Sequence, residues 1–226
     1  MQDFIIVTGM ILKQTPIGEY DRRICLLTKE RGKIAAFVKG SRKPGSRLSS
    51  AANPFSFGTF KLYEGRTSYN VADVEIQNYF EPLRTDYIGA YYGMYFAELA
   101  DYYTRENNDE RQMLLLLYQS LRALCAPSIP NELVRCVYEI KSIAVNGEFP
   151  GVRRDREPQL EDSTIYTLEY IVSSSIEKLY TFAVTPGVLA QLKEEAEWYC
   201  SKIIGHEFKS LEILKSLCRK NMASRI

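Results

Sequence analysis

The chain has 226 residues, 46% of them hydrophobic, enough for a sizeable core in one or two domains. Its 29 lysines and arginines against 28 acids leave a net charge of +1, which excludes a uniformly basic coat; any polyanion-binding surface has to be local. Five scattered cysteines without a C-x-x-C pair, no leader, and no apolar run near the ~20 residues a bilayer needs predict reduced thiols in a cytoplasmic chain outside the membrane.

Residues 4–80 read as β. Residues 4–12 are a long apolar run rich in Ile and Val, with Gly9 as a predicted bend or bulge. Short apolar runs at 24–28 and 34–38 flank Lys29-Glu30-Arg31-Gly32-Lys33, a hairpin connection with glycine late in the turn. Runs at 55–63 and 68–74 form a second pair around Glu64-Gly65-Arg66. Five strands within 80 residues predict a small closed barrel, because closure removes exposed edges, and the five-stranded OB-fold is the commonest such solution.

From Asp86 the apolar spacing changes to three and four. Ile88, Tyr92, Tyr95, Phe96, Leu99 and Tyr103 predict an amphipathic helix whose tyrosines mostly serve as core. A second helix is predicted over 109–124, ended by Pro127 and Pro130. A third, capped by Asn131 and stopped at Asn146-Gly147, carries Leu133, Val137, Ile140 and Ala144. Residues 148–163 read as a loop, 186–204 as a helix with Pro186 in its first turn, and 211–222 as a last helix. The fold class is α+β in two domains: an OB-fold barrel over 1–80 and a mainly α-helical domain over 81–226, with 148–176 as an excursion.

Charge is distributed unevenly. Residues 1–80 hold 12 Lys/Arg against 7 Asp/Glu, and the remainder 17 against 21. The stretch from Lys39 to Arg47 places four cations and no acid in nine residues, around two glycines and a proline. Such a loop is either a solvated excursion or a grip for an anionic polymer. Strand alternation sets Lys33, Ala35, Phe37 and Lys39 on one face, opposite Ile34, Ala36 and Val38; Thr59, Lys61 and Tyr63 likewise oppose Phe60 and Leu62. An outward ring beside cations can stack a base and neutralise its phosphates, or simply carry a lysine stem across it. Arg22, Arg23, Lys29 and Arg31 extend the positive surface, with Glu19, Asp21 and Glu30 among them as partners within the protein. No catalytic centre is predicted. His206, the only histidine, follows Gly205 near a helix end, and there is no phosphate-cradling glycine loop, nucleophile elbow or His-Glu-x-x-His.

Gly18-Glu19-Tyr20-Asp21-Arg22, then Leu27-Thr28-Lys29-Glu30-Arg31-Gly32-Lys33, then Lys39-Gly40-Ser41-Arg42-Lys43-Pro44-Gly45-Ser46-Arg47-Leu48, then Pro54-Phe55, in this order and spacing, resemble the N-terminal part of the RecO family, bacterial recombination mediators of DNA repair. The motif series covers residues 5–80; beyond it the likeness is architectural, with Leu83-Arg84-x-Asp86 opening the first helix. The resemblance implies an OB-fold joined to a helical domain, no enzymatic step and no cofactor. It further implies binding of single- and double-stranded DNA, annealing of complementary strands, and a cytoplasmic, nucleoid-associated location. The implied partners are RecR and the acidic-hydrophobic tail of single-strand-binding protein, with RecA loaded through them. By motif position Lys39, Arg42, Lys43 and Arg47 are candidate phosphate contacts. Arg22 joins them with pairing inside the protein as an equal reading, and Lys33, Phe37 and Lys61 join from the strand faces.

Many relatives insert a four-cysteine zinc motif after the third helix. Residues 147–175 of this chain contain no cysteine, so four thiolates cannot be assembled there and no metal is expected. Either Phe149, Leu160, Ile165, Tyr166, Leu168 and Ile171 hold a subdomain by packing, or the segment is a loop with a short helix. Two rival functions are an adaptor whose barrel docks a protein partner, and an OB-fold for structured RNA.

Overall fold

The structure is a computed structural model that describes residues 4–66, 68–155 and 157–223, with side chains to residue 217, so the Cys218 thiol lies outside the described part. Strands β1 (Phe4–Ile17), β2 (Asp21–Thr28), β3 (Gly32–Val38), β4 (Phe57–Glu64) and β5 (Tyr69–Asn78) close a barrel in the order β1-β2-β3-β5-β4. One parallel pairing, Ala36 with Tyr69 and Phe37 with Asn70, joins β3 to β5 and completes the OB arrangement. Alternation explains which side chains fill it. Ile34, Ala36 and Val38 of β3 and Phe60 and Leu62 of β4 point inward, meeting Val7, Ile11, Ile24 and Leu26 in one buried core.

Two strand details depart from the expectation. The first strand runs on to Ile17, because its polar end from Lys13 pairs with Asp21–Cys25 of β2. An apolar run marks only the part of a strand that has a buried face. The β-bulge lies at Leu12, where the register with β2 shifts between Ile11 and Lys13, and not at Gly9. Gly9 has a different reason: a Cβ there would lie 2.4 Å from the Leu27 carbonyl oxygen. Its cross-strand partner Gly58 is equally confined, with the Glu75 carbonyl at 2.1 Å.

A short helix that the sequence reading did not include, α1 (Leu48–Ala51), lies in the β3–β4 connection; Leu48 and Ala52 pack against the barrel core. Then follow α2 (Tyr87–Tyr103), α3 (Arg111–Leu124), α4 (Asn131–Val145), α5 (Asp162–Ser173), α6 (Pro186–Tyr199) and α7 (Lys209–Ala223). Asp86 caps α2 by accepting a hydrogen bond from the Gly89 amide at 3.0 Å, and Tyr92, Tyr95, Phe96 and Leu99 are buried. Pro186 stands in the first turn of α6 as expected, and Thr185 caps that helix by accepting from the Val188 amide. Asn131 is not the α4 cap: it is the first helical residue, and extended Pro130 supplies the carbonyl that takes the Val134 amide. The compact units are Met1–Leu114, which groups α2 with the barrel, and Leu115–Ile226. Among the described residues no helix is long and apolar enough to cross a membrane.

Within the second unit, residues 149–173 are organised by packing and ion pairing. Phe149 lies against Tyr199, whose hydroxyl donates to the Gly151 carbonyl at 2.7 Å. The Arg153 guanidinium donates twice to fully buried Glu195, at 2.6 and 3.1 Å, and lies 3.8 Å from the Trp198 ring centroid. Leu168 and Ile171 bury the inner face of α5, and Lys141 donates to the Val172 and Ser174 carbonyls at its C-terminus. Tyr166, expected in this core, is instead 69% exposed. The residues do not fit zinc, since the described part holds no cluster of histidine, cysteine and carboxylate groups able to ligate a metal. Glu195→Gln should therefore lower stability by about 3–5 kcal/mol, because it leaves Arg153 without its buried counter-charge. Added chelator should leave the urea midpoint unchanged; a midpoint that falls on chelation would point to a metal instead.

Candidate nucleic-acid interface

The cationic loop, residues 39–47, leaves β3 and is held by backbone geometry. The Gly40 amide donates to Asp21 Oδ1 at 2.7 Å, and the Arg42 amide donates to the Tyr20 carbonyl at 2.9 Å. Gly40 and Gly45 both have positive φ, 66° and 75°, which the tight turns of this loop require. Beneath it, Arg22 donates to the Ser49 carbonyl at 2.9 Å and the Ser41 carbonyl at 3.5 Å. Arg22 is thus a half-buried brace of the loop rather than part of its open surface.

The four loop cations are not equivalent. Arg42 donates to the Gly18 carbonyl at 3.1 Å, which positions it without cancelling its charge. Lys43 sits 5.6 Å from the Tyr20 ring centroid, and Lys39 is exposed. None of these three has a carboxylate partner among the described residues. Arg47 does: it lies 3.2 Å from Asp73, in a pair so exposed, 85% and 58%, that water screens most of the attraction.

Cross-strand register places the outward side chains in rows. One row runs Arg23, Phe37, Asn70, Tyr63, Phe4 across β2, β3, β5, β4 and β1. Phe37 and Tyr63 therefore share a row, and Phe37 stands beside Arg23. Lys61 pairs with Ile6 in the neighbouring row and reaches back to the β4–β1 end of this one, its ammonium 3.7 Å from the Phe4 ring centroid. Arg23 was undervalued in the sequence reading because Glu19 and Asp21 are its near neighbours in the chain. The signal for it was alternation, since Ile24 and Leu26 point inward and so turn Arg23 outward. Lys13 and Arg105, which face the same side of the barrel, depend on the strand extension and on the α2–α3 connection, and no local pattern marks them.

Lys33 is placed differently from the expectation. Its ammonium lies 2.9 Å from Asp101 Oδ1 on α2 and donates to the Asp101 carbonyl, while Lys13 binds Asp101 Oδ2 at 2.6 Å. Cys25 adds a weak S–H donor to the same carboxylate at 3.5 Å. Burial, with the charge of Asp101, pushes the Cys25 thiol up to about 12, so it stays protonated. Burial alone would raise the Asp101 pKa, but hydrogen bonds from Lys13 and Lys33 outweigh it and hold the carboxyl below its usual range. The Lys33 charge is spent within the protein, where it fastens the end of α2 to β3.

Residues 1–80 match the family described as Recombination protein O N terminal, and residues 84–155 match Recombination protein O C terminal. The chain is similar to a DNA repair protein RecO of Acetivibrio thermocellus, 24% identical with 96% of this chain and 98% of that protein covered. A DNA repair protein RecO of Clostridium perfringens is 25% identical, with 92% and 96% covered. One from Alkaliphilus metalliredigens is 32% identical across 63% of this chain and 58% of its own length.

The Asp101 cluster sets a pH dependence. A carboxyl whose folded pKa lies below its unfolded value near 4 contributes stability that is present above pH 4 and lost as pH falls through the folded value. Asp101→Asn should cost about 2 kcal/mol at neutral pH. Urea titrations from pH 7 to pH 3 should then show a shallower acid loss in the variant than in the parent protein.

Proposed function

Because this chain belongs to the RecO family, and its work therefore lies in DNA repair and recombination, we propose that it is a non-catalytic DNA-binding mediator that binds single and double strands, anneals complementary strands and helps to load RecA. It acts with RecR on strands coated by single-strand-binding protein, whose tail it recognises. The observation that carries the reading is the loop of residues 39–47: Lys39, Arg42 and Lys43 stand open without a carboxylate partner among the described residues, next to the Arg23–Phe37 row. Uncompensated cations on a nearly neutral chain repel one another, and a phosphate backbone relieves that repulsion. Phe37 offers a ring for a base beside it.

The mechanism is electrostatic. Loop cations neutralise the phosphates of one strand, so a second strand reaches the same surface with less repulsion, and pairing follows from local concentration without a bond being made or broken. Contacts of this kind carry little sequence information. Arg22 and Lys33 serve as braces in this scheme, and Arg47 contributes once it leaves Asp73.

A second reading, the protein-docking adaptor, is favoured by one observation: Phe4 and Ile6 on the outer face of β1 are 48% and 58% exposed. Oligonucleotide binding across a salt series separates the two. Replacing Lys39, Arg42 and Lys43 together by Ala should flatten the plot of log K against log salt by about 2, at ~0.7 per phosphate on a single strand. It should also slow annealing in proportion. An unchanged slope would remove the loop from the DNA path, and a protein that binds no DNA at moderate salt would leave the adaptor standing.

A further inference from the structure

We propose that the concavity at the far end of the β1–β2–β3 face is a subsite for the terminal phosphate of a single strand, an inference that rests on the DNA binding proposed above. It is a hollow of about 420 Å³ lined by Lys13, Thr15, Arg23, Lys33, Arg105 and Glu106, within the size range of small-ligand clefts. The outward row of β3 leads into it: Lys39, Phe37, Ala35 and Lys33 span about 20 Å at ~3.3 Å per residue. A strand gripped by the loop and laid along this row arrives at the hollow.

It can go no further in that direction. The β2–β3 turn is closed by the segment that follows α2: the Lys33 amide donates to the Arg105 carbonyl at 3.0 Å, and the Asn107 amide to the Arg31 carbonyl at 2.9 Å. Gly32 pairs with Glu106 in an isolated bridge so close that a Cβ on Gly32 would lie 2.3 Å from the Arg105 carbonyl oxygen. The track therefore ends in a wall of backbone.

The charge at that end suits a terminal group better than an internal one. Lys13, Arg23, Lys33 and Arg105 face two carboxylates, Asp101 and Glu106, and Asp101 is already engaged by both lysines. Arg23 and Arg105 have no carboxylate partner among the described residues. The Arg105 guanidinium is positioned by donating through one terminal nitrogen to the Tyr102 and Thr104 carbonyls, at 2.6 and 2.8 Å, which leaves its remaining N–H groups for a ligand. An internal phosphodiester brings one negative charge, whereas a terminal monoester brings about 1.5 to 2 and a third acceptor oxygen.

The test compares one thymidine oligomer in three forms, with a 5′-phosphate, a 3′-phosphate or neither, each titrated against the full chain by fluorescence anisotropy. A phosphate at one end should tighten binding roughly tenfold, the worth of one charge-assisted hydrogen bond. Which end gains sets the strand's polarity on the face. Arg105→Ala should erase most of that gain with far less effect on the unphosphorylated form; Arg23→Ala should erase it too while weakening all three oligomers, because Arg23 also stands beside Phe37 on the DNA face, and the second variant guards against a folding defect in the first. Thymidine monophosphate, but not thymidine, should compete for the gain. Equal affinity for all three oligomers overturns the subsite and leaves DNA binding intact, while no binding of any form overturns the reading beneath it.

Discussion

Asp101 holds two lysines from two different strands, Lys13 of β1 and Lys33 of β3, on a carboxylate that reaches the barrel from α2. Much of the first unit is organised by this contact. It sets where the helix ends on the outer face, and so where the segment after it meets the β2–β3 turn and closes that end of the strands. It also neutralises two cations that would otherwise join the open positive surface. A half-buried carboxylate with two charge-assisted donors is a strong restraint, because losing them would leave the Asp101 charge unpaired where water reaches it poorly, although Lys13 itself is open to solvent.

The opposite end of the same face follows another electrostatic rule. There the loop is secured through peptide groups: Asp21 takes a backbone amide, Arg22 reaches carbonyls, and Arg42 rests on the Gly18 carbonyl. The Asp21 carboxylate takes the Gly40 amide rather than a loop cation, and among the described residues Arg47 alone of the four loop cations meets a carboxylate, the exposed Asp73. The fold thereby orders a cationic loop without discharging it, which leaves Lys39, Arg42 and Lys43 available to an anion. The two ends of β3 thus differ in kind, one fastened by ion pairs and the other left charged.

In the second unit, residues 149–173 are ordered by packing and ion pairing. A bidentate Arg153–Glu195 pair beside Trp198 and a lysine at the C-terminus of α5 supply distributed contacts. Contacts of this type are weaker singly than metal–thiolate bonds and depend on each being shielded from water. Glu195 is fully buried, which meets that condition.

What local sequence determined was whatever repeats with a period: five strands, the inward and outward faces of β3 and β4, the helical change at Asp86, and the basic loop as a run of like charge. Periodicity survives because side-chain direction is set by the backbone alone. Three outcomes belonged to the tertiary structure: the bulge at Leu12 in place of Gly9, the engagement of Arg22 and Lys33 in bracing contacts, and the arrival of Arg105 at the barrel. Each depends on which distant group supplies a partner, as Asp101 does for a lysine 68 positions earlier. A charged side chain looks the same in a sequence whether it faces water or a carboxylate, and only the closed barrel with its attached helix decides between them.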